Sequence, residues 1–300
     1  MIKTILLTGA TGFLGSHLLE ALIQHDYRVV ILKRSFSNTW RIDHLIQEVK
    51  WYDIDKVPLE KAFEEQKIDA VIHTAVNYGR ANERVSDIVD NNLIFGLRVL
   101  ESAASAQTRF FFNTDTMHDK YLSDYTMAKK QFSEWLKIFG ETGKIHAINF
   151  RIEHMYGPKD DNKKFGTWLL EQMLSNKDEI RLTAGEQQRD FIFITDIVNA
   201  YLLCLQQADK FQKFNEYDIG TGNPITVKEF VLKLKDTVER IQNKPVSSEL
   251  RFGSVPYRAG EKMGVAEDLS QIFALGWRPA TNLEDGLSAM VSEYIDRCRR

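Results

Sequence analysis

A chain of 300 residues, 43% hydrophobic and 27% charged, is long enough for one large α/β unit or two close domains with a substantial core. Its net charge of −3 gives no basic surface for nucleic acid, and Cys204 and Cys298 make neither a disulfide framework nor a metal-binding pattern. No apolar run is long enough to span a bilayer and no leader pattern precedes the first apolar segment, so a cytoplasmic enzyme without metal, membrane or nucleic-acid partners is the expectation.

In chain order, Thr4–Thr8 reads as a buried parallel strand and Ser16–Gln24 has the apolar spacing of a helix. Between them lie Gly9, Thr11, Gly12, Phe13, Leu14 and Gly15, in the spacing G-x-x-G-x-x-G. Glycine permits a tight turn and close backbone approach, and a helix N-terminus offers free N–H groups, so strand, turn and helix make a cradle for a pyrophosphate. A second strand, Arg28–Leu32, ends in Lys33 and Arg34. An acidic residue there takes the ribose hydroxyls of NAD(H), whereas cations favour the 2′-phosphate of NADP(H). The pair therefore argues for NADP(H) over NAD(H).

Further strands are expected over Val49–Tyr52, Ala70–His73, Arg109–Asn113 and Ile145–Phe150, with helices over Val85–Ala104 and Ser123–Phe139. Repeated βα units imply a Rossmann-type, doubly wound parallel sheet whose ligands sit beyond the carboxyl ends of its strands. After Gly157 the pattern becomes smaller in scale. A charged loop, Lys159–Lys164, leads to a helix at Thr167–Leu174, a strand at Phe191–Ile194, a helix at Asp196–Gln206 and a strand at Glu216–Ile219. Helices at Val227–Ile241 and Leu283–Arg297 follow. The expected organisation is a dinucleotide-binding domain over 1–157 and a smaller mixed α/β substrate domain over 158–300, some of whose segments return to the first sheet.

Tyr125 and Lys129 form a Y-x-x-x-K pair, four residues apart on one helix face. Thr114 stands at the end of the fifth strand, where a hydroxyl can meet a substrate oxygen beside the phenol. A lysine ammonium near a phenol stabilises phenolate, so Lys129 is expected to lower the Tyr125 pKa and let it exchange a proton with a carbonyl or alkoxide. A second match, Tyr52 to Lys56, is assigned to chance, because Pro58 follows closely and the third strand belongs to the adenine end. Phe132, Trp135 and Phe139 recur at helical spacing and suit either the core or a dimer.

These motifs, in this order, resemble the extended short-chain dehydrogenases/reductases over nearly the whole chain. The likeness also rests on Asp53-Ile54, His73-Thr74-Ala75, Asn92, Arg151 to Pro158, Arg189-Asp190-Phe191, Arg258-Ala259-Gly260-Glu261 and Leu275 to Pro279. Within that family the chain looks most like the CDP-abequose/CDP-paratose synthase group of nucleotide-sugar 4-ketoreductases. The resemblance implies catalytic roles for Thr114, Tyr125 and Lys129. It implies cofactor contacts from the glycine turn, Lys33, Arg34, Asp53, Ile54, Thr74, Ala75, Asn92, Tyr125 and Lys129. Asp115, His154, Arg189 and Arg258 become candidate contacts to a CDP-, dTDP- or UDP-linked sugar, the arginines suiting a diphosphate. It further implies a homodimer and a deoxysugar product for surface polysaccharide.

Three features depart from the wider family. His154 stands where many relatives carry Asn, only ten residues separate Thr114 from Tyr125, and Thr116 replaces the Glu that 4,6-dehydratases use as base at sugar C5. Dehydration is disfavoured accordingly. A 4-epimerase needs the same three catalytic residues and stays open. A non-catalytic NADP-binding regulator is disfavoured, because such proteins lose Tyr or Lys and this chain keeps both.

Overall fold

The computed structural model describes residues 2–258 and 260–299; Ala259, within the Arg258–Glu261 motif, lies outside them. The chain divides into two compact units. The first is 1–152 with 198–219, and the second is 153–197 with 220–300.

The first unit is built on a seven-stranded parallel sheet. Its strands are β1 (Thr4–Thr8), β2 (Arg28–Lys33), β3 (Lys50–Asp53), β4 (Ala70–His73), β5 (Phe110–Thr116), β6 (His146–Ile152) and β7 (Phe214–Ile219), and its first helices are α1 (Phe13–Gln24), α2 (Glu60–Glu65), α3 (Val85–Val89), α4 (Phe95–Ser105) and α5 (Asp124–Glu141). Their spatial order is β7-β6-β5-β4-β1-β2-β3. This is a Rossmann-type, doubly wound arrangement, and the order reverses between β1 and β4, where such sheets bind their ligands. Register aligns Val30, Leu6, Val71, Phe111, Ala147 and Phe214 in a row across the strands. That row packs with Val99 and Leu100 of helix α4 (Phe95–Ser105) and with Phe132 and Leu136 of helix α5 (Asp124–Glu141) in one apolar cluster. Fully burying a side chain of the size of Phe111 stabilises the fold by about 1.5–3 kcal/mol, so this cluster fixes which face each helix turns inward.

The helix expected over Val85–Ala104 is not continuous. An α-helical turn, Val85–Val89, passes into a π-helical turn, Asp90–Ile94, before α4 begins. Asn92, at the centre of the π turn, is fully buried. Its amide accepts from the Asn77 N–H at 2.8 Å and donates to the Asn77 carbonyl at 2.7 Å, clamping the loop that leaves β4. A π turn inserts one residue, which apolar periodicity does not reveal. The fifth strand also runs beyond Asn113 to Thr116, placing Thr114, Asp115 and Thr116 on sheet backbone. On α5, Phe132 is buried, whereas Trp135 and Ile138 remain 46% and 49% exposed.

In the second unit, helices Phe165–Leu174, Val227–Gln242 and Leu283–Cys298 pack together. Three two-stranded pieces join them: His154–Tyr156 with Phe191–Phe193, Gln188–Arg189 with Ile225–Thr226, and Glu179–Arg181 with Glu249–Arg251. Trp277 donates its indole N–H to the Asp196 carbonyl at 3.0 Å, while the Asp196 carboxylate accepts from the N–H groups of Ala280 and Thr281. The Leu275–Pro279 motif therefore anchors the start of the helix Ile194–Gln206. Among the described residues no helix is long and apolar enough to cross a membrane, and no cluster of His, Cys, Asp or Glu is arranged to hold a metal ion.

Candidate active site

The glycine turn closes tightly on itself. Gly9 has φ +71°, and a Cβ there would lie 2.6 Å from the Ala75 nitrogen. A Cβ on Gly15 would collide with the Gly9 carbonyl. Gly12 caps helix α1 (Phe13–Gln24) without a side-chain acceptor, and no acidic residue occupies its first turn. The positive end of the helix dipole therefore meets no carboxylate in the first turn and suits an external anion. These residues fit a dinucleotide pyrophosphate. Thr11 is half-buried, and Phe13 and Leu14 are buried where the turn enters the helix. At β4, Thr74 donates its hydroxyl to the Thr8 carbonyl at 2.8 Å, and Ala75 follows beside Gly9.

The ends of β2 and β3 meet. Lys33 lies over the Trp51 ring at 4.5 Å. Arg34 is exposed but ion-paired with Asp55 at 2.9 Å, and Asp55 also accepts from the Ser35 N–H. A 2′-phosphate at Arg34 must share it with that carboxylate. Asp53 is buried and accepts from the Ser35 hydroxyl at 2.7 Å; this bond holds its carboxyl below the usual range. Ile54, half-buried, continues the strand by donating its N–H to Lys33. Arg41, which sequence reading missed, reaches the Thr11 carbonyl at 3.3 Å and brings another cation to the glycine turn. Its position depends on the irregular segment after Arg34, which carries no periodic signal.

The candidate reacting end is built by β5 and α5. Ser123 caps α5 in a capping box with Thr126, which sets Tyr125 in the first turn and Lys129 one turn on. The Thr114 hydroxyl is 2.6 Å from that of Tyr201, a fully buried residue. Burial pushes the Tyr201 pKa up, so its phenol stays protonated beside Thr114, and either hydroxyl can donate in this bond. Tyr125 is half-buried, with the Tyr78 ring 5.0 Å away and the Arg80 guanidinium over the Tyr78 ring at 4.5 Å. Tyr78 is a further residue that sequence reading left without a role.

One expectation is corrected here. The Tyr125 pKa is not lowered towards neutrality but raised well above its usual 10.0, by burial first and then by Tyr78 and Asp115; Thr116 and Arg80 oppose this more weakly. Lys129, fully enclosed, is itself drawn down to about 8 by burial, with Asp115 acting upward and Lys130 downward. Burial is the largest influence on both groups.

Other sequence-predicted residues are already engaged. Asp115 is buried, with Lys130 at 2.9 Å, Ser133 at 3.0 Å and the Thr116 N–H at 2.7 Å. Asn92 is committed to Asn77, as described above. Tyr52, of the discounted second pair, donates to Glu65 at 2.7 Å, while Lys56 faces Asp53 at 3.5 Å.

Three predicted substrate contacts belong to the second unit. Arg189 is ion-paired with Glu261 and donates to the carbonyls of Gln188 and Lys262. Arg258 is exposed, and its carbonyl accepts the Glu261 N–H. His154 lies 3.2 Å from Glu153 and its ring meets that of Phe191. Glu153 also faces Glu267, whose carboxyl is pushed up to about 9 by burial and by Asp190.

A sequence model of the NAD dependent epimerase/dehydratase family matches residues 5–220. The chain belongs to that family. Among curated family relatives, CDP-abequose synthase of Salmonella typhimurium is 31% identical over 298 residues, covering 96% of this chain and 97% of that protein. The CDP-abequose synthase of Salmonella muenchen is 34% identical over the same length, covering 97% of each. Among solved structures, the UDP-glucose 4-epimerase of Thermotoga maritima, crystallised with UDP-glucose, shares the fold with a TM-score of 0.86. It is 23% identical and covers 98% of this chain and 99% of its own.

Proposed function

We propose that this protein is an NADPH-dependent reductase of the 4-keto group in a nucleotide-linked 4-keto-deoxyhexose. The observation that carries the reading is geometric: Thr114 lies near the end of β5, Tyr125 and Lys129 lie one turn apart on α5, and Thr116 supplies no carboxylate at that strand end. The chemistry the dinucleotide supplies when bound is a hydride for sugar C4. Thr114 donates a hydrogen bond to the carbonyl oxygen and polarises it. Tyr125 gives its proton to that oxygen as negative charge develops. Lys129, cationic below about pH 8, offsets the charge left on the phenol and holds the ribose of the cofactor. The glycine turn and α1 hold the pyrophosphate. Lys33 and Arg34 read the 2′-phosphate, and Arg189 and Arg258 receive the nucleotide diphosphate. The CDP-abequose synthases support a substrate of this class.

A 4-epimerase is the second reading, favoured by the Thermotoga maritima structure. It would use the same Thr114, Tyr125 and Lys129, with Tyr125 beginning as the base. Stoichiometry separates the two. Purified protein offered CDP-, dTDP- and UDP-linked 4-keto sugars is expected to consume one NADPH per sugar reduced. Interconversion of 4-hydroxy nucleotide sugars with no net change in cofactor absorbance, and no NADPH use with any 4-keto sugar, would establish the epimerase instead.

A further inference from the structure

The Thr114 hydroxyl is held from inside the protein. Its oxygen lies 2.6 Å from that of Tyr201, which stands on the helix Ile194–Gln206. Tyr201 is fully buried, whereas Thr114 is half-buried. The Tyr201 ring meets the Phe150 ring at a centroid distance of 4.4 Å, inclined at 59°. Phe150 on β6 is the partner of Thr114 in the sheet register, so Tyr201 touches neighbouring residues of two paired strands. Phe150 is itself fully buried and meets the rings of Phe112 on β5 and Tyr217 on β7. Close packing of these rings fixes where the Tyr201 phenol stands, beside the end of β5.

We propose that Tyr201 is a positioning residue that holds the Thr114 hydroxyl in line for the substrate oxygen. A threonine hydroxyl rotates among staggered positions, and neighbouring backbone groups compete for its hydrogen bond. A short bond to an immobile phenol selects one of those positions. The cost of leaving a buried phenol without a partner opposes the others. A hydroxyl has one hydrogen to give and two lone pairs to receive, so the bond to Tyr201 leaves Thr114 able to make another. A carbonyl oxygen can only accept. With a 4-keto sugar in place, Thr114 therefore donates to the sugar and Tyr201 donates to Thr114. Two hydroxyls in series polarise one another, and each bond strengthens the next. Tyr201, fully enclosed, acts only through Thr114. The inference rests on the reading of Thr114 as the group that meets the sugar oxygen, and it names what aligns that group.

The experiment is a double-mutant cycle on kcat. Tyr201→Phe is placed in the unmodified protein, in Thr114→Ser and in Thr114→Val. In the unmodified protein, loss of the phenol hydroxyl is expected to lower kcat about tenfold and to leave KM and the NADPH Kd in place. Thr114→Ser keeps a hydroxyl and shows the same loss. In Thr114→Val, Tyr201→Phe is expected to change kcat by less than about twofold, because the group it acts through is gone. An equal loss in all three backgrounds would reduce Tyr201 to a packing residue and overturn the inference. So would an unchanged kcat, or a rise in KM at constant kcat. The cycle is read on NADPH consumption or, in a protein that instead interconverts 4-hydroxy nucleotide sugars, on that reaction. The reductase reading then fails while Tyr201 keeps its role. A second measurement needs neither turnover nor a change at position 201. In protein labelled with carbon-13 at tyrosine Cζ, the Tyr125 resonance is identified by its loss in Tyr125→Phe. One of the other tyrosine resonances is expected to move in Thr114→Val and to stay in place in Thr114→Ser. Absence of such a resonance overturns the inference even if Tyr201→Phe does not fold.

Discussion

Burial pushes the Tyr125 pKa up, and Tyr78 and the Asp115 carboxylate add to this because both oppose a negative charge on the phenol. Replacing Tyr125 with Phe removes only the hydroxyl. We expect kcat to fall by about 10²–10⁴-fold while NADPH binding, followed by quenching of protein fluorescence, is retained. Tyr52→Phe is the control. It loses the hydrogen bond to Glu65, worth about 1 kcal/mol of stability, and keeps its turnover. A dead Tyr52→Phe with an active Tyr125→Phe would place the chemistry elsewhere. At this scale the sequence is read well where partners are close along the chain. Tyr125 and Lys129 share one helix face by spacing alone. Tyr201, 87 residues from Thr114, and Lys130, whose partner lies on another element, had no such signal.

At the scale of elements, the tips of β2 and β3 form the proposed cofactor reader, whose charge balance is not evident from the second strand alone. Lys33 and Arg34 look like an unopposed pair of cations until β3 brings Asp55 to Arg34 at 2.9 Å. Two substitutions separate the contributions. Arg34→Ala is expected to weaken NADPH binding by about 1.5–3 kcal/mol, roughly ten- to hundredfold in Kd, and to leave NADH nearly unchanged. Asp55→Asn is expected to tighten NADPH binding, because the guanidinium is no longer shared. Equal losses for the two cofactors in Arg34→Ala, measured by titration calorimetry, would remove Arg34 from the 2′-phosphate site. The βα units themselves were legible, since apolar runs of strand length alternate with helical spacing. The π turn was not, because its one extra residue leaves the apolar pattern on either side intact.

At the scale of the whole molecule, stability carries the imprint of its buried titratable groups. His73 is fully enclosed, with rings of Phe95, Phe111 and Phe132 around it. Its Nδ1 lies 2.8 Å from the Thr8 hydroxyl, while Nε2 has no partner. Burial depresses its pKa well below 6.5. The unfolded chain therefore binds a proton that the folded chain refuses, and the contribution to stability, complete above about pH 6.5, is lost as pH falls. The melting temperature is expected to drop between pH 7 and 5, with a shallower slope in His73→Asn. An unchanged slope in that variant would assign the acid sensitivity to other groups.

The seventh strand of the sheet has a consequence for how the molecule is made. Phe214–Ile219 pairs with His146–Ile152 along six residues, yet the segment 153–197 of the other unit is synthesised between them. A nascent chain emerging N-terminus first holds the outer edge of β6 unpaired until residue 219 is available. Open strand edges are templates for association with other chains. The interval between translation of β6 and arrival of β7 is thus the period when the growing chain depends most on protection from its neighbours.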